Sequence, residues 1–187
     1  TEQAQEVLGK SNEVVKRYEH NQLDVEHIFM ALLEQEQSVP GEVLEQVGVS
    51  RLAIRNRLHE MLQRGAKVAQ GGTQIFLTPR AGGALERAKN EAERFNDQFI
   101  GTEHLLLAIV KEDEGDVGKL VKEFNIDLEK VYQTLQDIRG SRKIDDPRAE
   151  SHYKSLEKYS IDLTQLAQEG KLDPVIGRDA EISRVMQ

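Results

Sequence analysis

The stretch GTEHLLLAIV at residues 101–110 decides the fold, because a near-copy, DVEHIFMALL, stands at residues 24–33. Each stretch places an adjacent Glu-His pair at the start of a run of apolar residues. Sliding the sequence against itself by 77 positions extends the match without a gap over about sixty positions, which indicates an internal duplication. The matched pairs include Leu8 and Leu85, Arg17 and Arg94, Tyr18 and Phe95, Leu23 and Ile100, and Leu58 and Leu135.

The first copy is predicted to form four helices. Apolar residues recur at helical spacing over residues 4–18, and Asp24 is a suitable N-cap for a second helix. Pro40-Gly41 is predicted to break the chain before a short third helix over residues 42–47. Ser50 is predicted to cap the fourth helix, so that this copy occupies residues 1–64.

The second copy, residues 78–140, repeats this plan. Thr78 is predicted to cap its first helix, with Pro79 at the favoured first helical position, and further helices are expected near residues 102–111, 116–124 and 127–138. The fold class is therefore all-α, with two tandem, pseudo-symmetric four-helix repeats. The central helices near residues 25–35 and 102–112 are apolar almost all round, and we expect them to pack against each other.

Two further segments differ in character from the repeats. The glycine-rich stretch 65–72 joins the copies and is expected to be mobile. The polar composition of residues 139–147 is typical of an exposed linker. We assign the linker to residues 141–160. The remaining residues, 161–187, end inside a predicted helix, so we expect the sequence to be the front part of a larger protein.

Composition excludes several classes of function. The 187 residues carry 25 Lys and Arg against 33 Asp and Glu, and the net charge of −8 disfavours a nucleic-acid partner. Cysteine is absent, which removes disulfides, thiol catalysis and thiolate zinc sites. No run of about 18 apolar residues is present, so no membrane span is predicted. A cytoplasmic location fits, or a plastid stroma if the source is a plant or alga.

Motifs for catalysis or for metal binding are not found. The LGKS stretch at residues 8–11 resembles part of a phosphate loop, but Ala4 stands where that loop requires glycine. The five histidines show no metal-ligand spacing, and no Ser-His-Asp or paired-carboxylate arrangement is evident. We therefore predict a binding module with no metal, no cofactor and no catalytic residues.

The repeated Glu-His pair lies in the first turn of a predicted helix in both copies. Unpaired backbone N–H groups and the positive end of the helix dipole favour a bound anion there, and the adjacent carboxylate favours a guanidinium or ammonium group. A zwitterionic group such as a phosphorylated arginine satisfies both preferences. The alternative is that Glu only complements the helix dipole while His packs under the turn.

The duplicated unit, the TPRAGGALERA stretch at residues 78–88 and the closing KLDPVIGRD together resemble the front end of Clp-type AAA+ unfoldases. This resemblance covers the whole chain. It implies a Clp N-terminal domain over residues 1–140 and the beginning of the first ATPase module over residues 161–187. The stretch Val175-Ile176-Gly177-Arg178 is similar to the edge of the family's adenine pocket, with the rest of that pocket absent.

The resemblance also implies partners and cofactors. The family's N-terminal domain recognises unfolded or aggregated substrates and adaptor proteins, and it sits on a hexameric ring that uses ATP and Mg²⁺. This fragment is expected to be monomeric and to hydrolyse no ATP. The Glu-His pairs look like ClpC-type domains, which bind phosphoarginine, whereas the tail from Tyr159 looks more like ClpB-type disaggregases.

The family's phosphoarginine site corresponds to Thr102 and Glu103 in the second copy and to Val25 and Glu26 in the first. Because Asp24 brings negative charge to the place of a phosphate, the second copy is the stronger candidate. Grooves between the repeats would accept apolar segments. A docking module with no direct substrate contact is the alternative function. The other candidate ligand-binding residues are Thr1, Thr78 and Arg80.

Overall fold

A computed structural model describes residues 1–36, 38–68, 74–140, 142–150 and 184. In this part of the chain the structure is almost entirely helical, which confirms the all-α prediction. The elements in chain order are α1 (Glu2–Arg17), β1 (Gln22–Leu23), α2 (Val25–Glu34), α3 (Val39–Gln46), α4 (Arg51–Gln63), β2 (Phe76–Leu77), α5 (Pro79–Arg94), α6 (Thr102–Val110), α7 (Gly115–Glu123) and α8 (Leu128–Arg139).

Side-chain caps fix where the helices begin. The Thr1 hydroxyl accepts a hydrogen bond from the Ala4 N–H at 3.1 Å, and Thr78 does the same for Ala81 at 3.1 Å. One predicted boundary is wrong, because α3 begins at Val39 and contains Pro40 in its first turn. Proline is tolerated there since first-turn N–H groups have no partner within the helix, and Ser38 supplies the cap.

The two repeats are related by a pseudo-twofold arrangement, as predicted. The central helices α2 and α6 contact each other. The other main contacts between repeats come in three equivalent pairs: α1 with α6 and α2 with α5, α3 with α6 and α2 with α7, and α3 with α8 and α4 with α7. Every residue of α6 is buried, and in α2 only Glu34 is not. The core therefore runs through both repeats and holds the N-termini of α2 and α6 rigidly.

A short parallel pairing of β1 with β2 was not predicted from the sequence. Gln22 pairs with Phe76 and Leu23 with Leu77, so the chain entering the second repeat is fixed beside the first. The glycine-rich stretch 65–72 precedes this pairing, and its residues 69–72 lie outside the described part of the chain.

The segment after α8 exposes most of its polar side chains but is anchored by three buried residues, Ile144, Ala149 and Glu150. Ile144 is completely buried and Glu150 is 1% exposed. The Ile144 carbonyl accepts a hydrogen bond from the Gln98 N–H at 2.9 Å, and the Pro147 carbonyl accepts one from the Glu2 N–H at 2.9 Å. This part of the predicted linker is therefore held against the repeats at a few anchor points.

The compact unit that contains both repeats runs from Thr1 to Tyr153, and a second unit comprises Lys154–Gln187. The predicted ATPase segment, with Val175, Ile176, Gly177 and Arg178, lies outside the described residues and stays a prediction. Among the residues described, no helix has the length and apolar character needed to cross a membrane.

Candidate ligand-binding sites

The histidine of each Glu-His pair caps the helix that it opens. His27 Nδ1 accepts a hydrogen bond from the Asp24 N–H at 3.1 Å, and His104 Nδ1 accepts one from the Gly101 N–H at 2.9 Å. Burial lowers the pKa of both imidazoles to about 4, so both rings are neutral at pH 7 and available as acceptors. The repeated histidine is explained by helix capping alone.

The N-terminus of α6 is the centre of what we call the repeat-two site, formed by Thr1, Thr102, Glu103 and Glu150. The Thr102 N–H and hydroxyl donate to Glu150 Oε1 at 2.7 and 2.5 Å. The Thr1 hydroxyl, from the start of α1, donates to Glu150 Oε2. Three donors from two repeats thus converge on one carboxylate, which is the arrangement of an anion-binding site at a helix N-terminus.

Glu103 is fully buried beside this carboxylate. Neither of its carboxylate oxygens has a well-formed hydrogen bond among the described residues, and Arg139 Nη1 is 3.7 Å from Glu103 Oε1. Burial, together with the nearby charge of Glu150, raises the pKa of Glu103 to about 8. A buried carboxyl group held this far from its ordinary pKa is typical of functional sites.

Asp97 connects the elements that form the repeat-two site. Its carboxylate accepts hydrogen bonds from Arg139 Nη2 at 2.8 and 2.7 Å and from the Ile144 N–H at 2.8 Å. His104 Nε2 lies 3.1 Å from Asp97 Oδ2. Asp97 therefore links α6, α8 and the segment that carries Glu150.

The equivalent repeat-one site, at the N-terminus of α2, brings together Val25, Glu26, Thr78 and Arg80 around Asp24. Asp24 Oδ1 accepts hydrogen bonds from the Val25 N–H and the Thr78 hydroxyl, both at 2.8 Å. Arg80 donates to Asp24 Oδ1 at 3.2 Å and to Glu26 Oε1 at 2.5 Å. The Arg80 guanidinium thus pairs with both carboxylates of this site, and all three side chains line a pocket of about 450 Å³.

The two sites differ mainly because Gly101 replaces Asp24. A Cβ atom on Gly101 would lie 2.6 Å from Glu103 Oε2 and 2.7 Å from Ile144 Cδ1, so no side chain fits while these groups are in place. The N-cap residue of α6 can supply no carboxylate, and Glu150 supplies it from outside the repeat. The offset of 77 also places Gln3 opposite Arg80, so the second site lacks that guanidinium.

The structure separates the predicted site residues into these two groups, with Thr1 in the repeat-two site and Thr78 and Arg80 in the repeat-one site. Sequence reasoning missed Asp97, Arg139 and Glu150. Asp97 aligns with His20 in the first copy, so the repeat carried no signal for it. Glu150 lies in a segment rich in charged residues, where one more carboxylate gives no signal of a site.

An apolar groove lies between α1 and α5, where the two repeats join. It encloses about 260 Å³ and includes Leu8, Leu23, Ile75, Leu77 and Leu85. Leu77 is 54% exposed and the adjacent Phe76 is 51% exposed. Large apolar side chains this exposed and this close together favour an interaction surface.

The family model of the Clp repeat (R) N-terminal domain matches residues 1–124, which include both helix N-termini described above. The chain belongs to the Clp N-terminal domain family. ClpB 1 of Nostoc sp. is 41% identical over 187 residues, which are 100% of this chain and 21% of the relative. ClpB of Gloeobacter violaceus is 38% identical, with the same coverage of each. The chain thus spans about a fifth of the length of these chaperones.

Solved structures agree on the fold. The Hsp104 N-terminal domain from Candida albicans has a TM-score of 0.70 at 18% identity, over 79% of this chain and 95% of that one. The ClpD N-terminal domain from Arabidopsis thaliana has a TM-score of 0.56 at 16% identity, over 74% and 96% of the two chains. These likenesses confirm the predicted Clp N-terminal fold.

Proposed function

We propose that this Clp N-terminal domain is the recognition module of a ClpB-type ATP-dependent chaperone and binds apolar segments of unfolded or aggregated proteins. The groove lined by Leu77, with the exposed Phe76 next to it in the chain, carries the proposal. Adaptor proteins would use the same domain. ATP and Mg²⁺ would act in the rest of the chaperone, as a hexameric ring, and the domain itself would catalyse no reaction. Its bacterial relatives favour a cytoplasmic setting and give no support for a plastid.

The shape and lining of the groove favour an extended apolar segment as its occupant. Ile75, Phe76 and Leu77 lie on an extended stretch, and Leu8 and Leu85 come from the two flanking helices. An extended polypeptide with apolar side chains can bury these residues and its own together. The area is small, so binding would be weak for each segment and would favour proteins that expose several segments.

Replacing both Phe76 and Leu77 with serine is expected to weaken binding of an unfolded protein at least about tenfold, because burying the exposed half of the two side chains together contributes about 1.5–3 kcal/mol. Fluorescence anisotropy with a permanently unfolded, labelled protein measures this. The control is Leu52→Ser on α4, since Leu52 is 55% exposed but lies outside the groove. Equal losses in the two variants would contradict the groove assignment.

A second ligand class, phosphoarginine, is favoured by the repeat-two site. The donors of Thr1 and Thr102 would hold its phosphate in place of Glu150, and the Glu103 carboxylate would neutralise its guanidinium. The repeat-one site is a poorer candidate because Asp24 and Arg80 already occupy the two corresponding positions.

Titration calorimetry with a phosphoarginine peptide is expected to show binding that Glu103→Ala reduces at least about tenfold, the loss typical of one charge-assisted contact. Glu26→Ala, the matched change in the repeat-one site, is expected to leave most of the affinity. Unmodified and phosphoserine peptides are the negative controls. Absence of selective binding would remove this ligand class, and absence of unfolded-protein binding as well would favour the pure docking module.

A further inference from the structure

We propose that Glu150 is a resident carboxylate ligand of the repeat-two site, which latches residues 145–150 onto the domain and must leave before an external anion can bind. The latch rests only on contacts within this chain. The competition with an external ligand also rests on the phosphoarginine reading proposed above. The two parts can therefore fail separately.

The contacts of Glu150 are those of a ligand in a built site. Both of its oxygens are engaged, by the Thr1 hydroxyl on one side and by the N–H and hydroxyl of Thr102 on the other. The side chain is 1% exposed, and Thr102 is completely buried. The fully buried Glu103 carboxyl lies beside it, with no hydrogen bond of good geometry to a cationic group in the described part of the chain and with Arg139 Nη1 3.7 Å from its Oε1.

The pseudo-twofold relation shows that both repeats require an anion at this place. Thr78 and Val25, the counterparts of Thr1 and Thr102, donate to Asp24 in the same way. Asp24 is itself the N-cap of α2, so moving its side chain away removes the acceptor of the Val25 N–H and the partner of Thr78 and Arg80. Glu150 lies 48 positions from Thr102 in the chain and is not part of the cap of α6, whose N-cap residue is Gly101. Its carboxylate can therefore leave the repeat-two site while α6 keeps its own N-cap residue.

The other anchors of the segment define how far it opens. Ile144 is buried and is held through Asp97 and Gln98, so it stays in place when Glu150 leaves. Beyond it, the Glu2 N–H to Pro147 carbonyl hydrogen bond and Ala149 add modest support. Release would free six residues, or up to about 20 Å of extended chain.

The first test is amide hydrogen exchange in the whole chain, because the Thr102 N–H is hydrogen-bonded to Glu150 only while the latch is closed. Glu150→Ala is expected to raise the exchange rate of this amide at least tenfold. Glu150→Gln, which keeps an acceptor but loses the charge, should give a smaller increase. The control is Asp145→Asn in the same segment, whose exposed side chain makes no contact with the site. Exchange at Thr102 that is unchanged in Glu150→Ala would overturn the latch.

The second test is binding of free phosphoarginine, followed by the amide signals of Thr102 and Gly101. Glu150→Ala is expected to bind at least tenfold more tightly than the wild type and Asp145→Asn. Equal affinity in all three proteins would overturn the competition. If Glu150→Ala exposes the Thr102 amide but no protein binds phosphoarginine, the latch stands and the phosphoarginine reading falls. Unchanged helical content by circular dichroism confirms that the variants remain folded.

Discussion

Replacing Asp97 with alanine is expected to lower the free energy of unfolding by about 3–5 kcal/mol, the cost of leaving a buried charge without its partner. The Asp97 side chain is completely buried and the Arg139 side chain is 4% exposed. Without Asp97, Arg139 would keep the Arg142 carbonyl at 3.2 Å and the Glu103 carboxyl at 3.7 Å, which is a poor substitute. The Ile144 N–H would also lose its acceptor.

Urea denaturation followed by circular dichroism measures this change. The control is Asp116→Ala, because Asp116 forms an exposed ion pair with Lys119 whose loss should cost less than about 1 kcal/mol. The double variant Asp97→Ala, Arg139→Leu is expected to recover part of the lost stability, since it removes the unpaired charge as well. Similar losses in Asp97→Ala and Asp116→Ala would contradict the role assigned to Asp97.

The helical repeats could be predicted from the sequence because their signals are local. The offset of 77 fixed the duplication, and Asp24, Ser50, Thr78 and Asp127 each cap a helix as predicted. The α3 boundary was wrong for a local reason too, since proline favours the first helical turn as well as a break.

The contacts that complete the repeat-two site could not be predicted, because they join distant residues with no periodic pattern. Glu150 meets Thr1 across 149 positions and Asp97 meets Arg139 across 42. The duplication even misleads at these positions. It aligns Asp97 with His20. In the first repeat His20 Nδ1 contacts His27 Nε2 at 2.8 Å, whereas in the second repeat the Asp97 carboxylate lies 3.1 Å from Nε2 of the equivalent His104.

Divergence between the repeats has given two sites whose carboxylates are held in different ways. In the repeat-one site, Asp24 caps α2 and Arg80 lies in α5. The carboxylate and the guanidinium that it pairs with are therefore each fixed by a helix. In the repeat-two site the acid comes from residues 145–150, and Glu103 has only a distant guanidinium. On the latch proposal, the repeat-two site is the one that exchanges its carboxylate for an external ligand.

Replacing Glu103 with glutamine is expected to stabilise the protein at pH 8.5 by up to about 5 kcal/mol, at about 1.4 kcal/mol for each unit of pKa shift. In the folded chain the pKa of Glu103 is about 8, above the ordinary value of 4.5. Its contribution to stability is therefore complete below pH 4.5 and is lost as the pH rises through 8. Glutamine cannot ionise, so wild type and variant should be nearly equal at pH 4.5 and diverge above it.

Urea denaturation of both proteins between pH 4.5 and 8.5 tests this, and parallel curves would contradict it. The contributions of His27 and His104 are common to both proteins and cancel in the difference. Glu26→Gln is the matched control with the opposite sign, because it deprives Arg80 of one partner. A residue whose replacement stabilises the fold is retained for another reason. Glu103→Gln should therefore also lose phosphoarginine binding, since the guanidinium of that ligand is what would make the buried charge favourable.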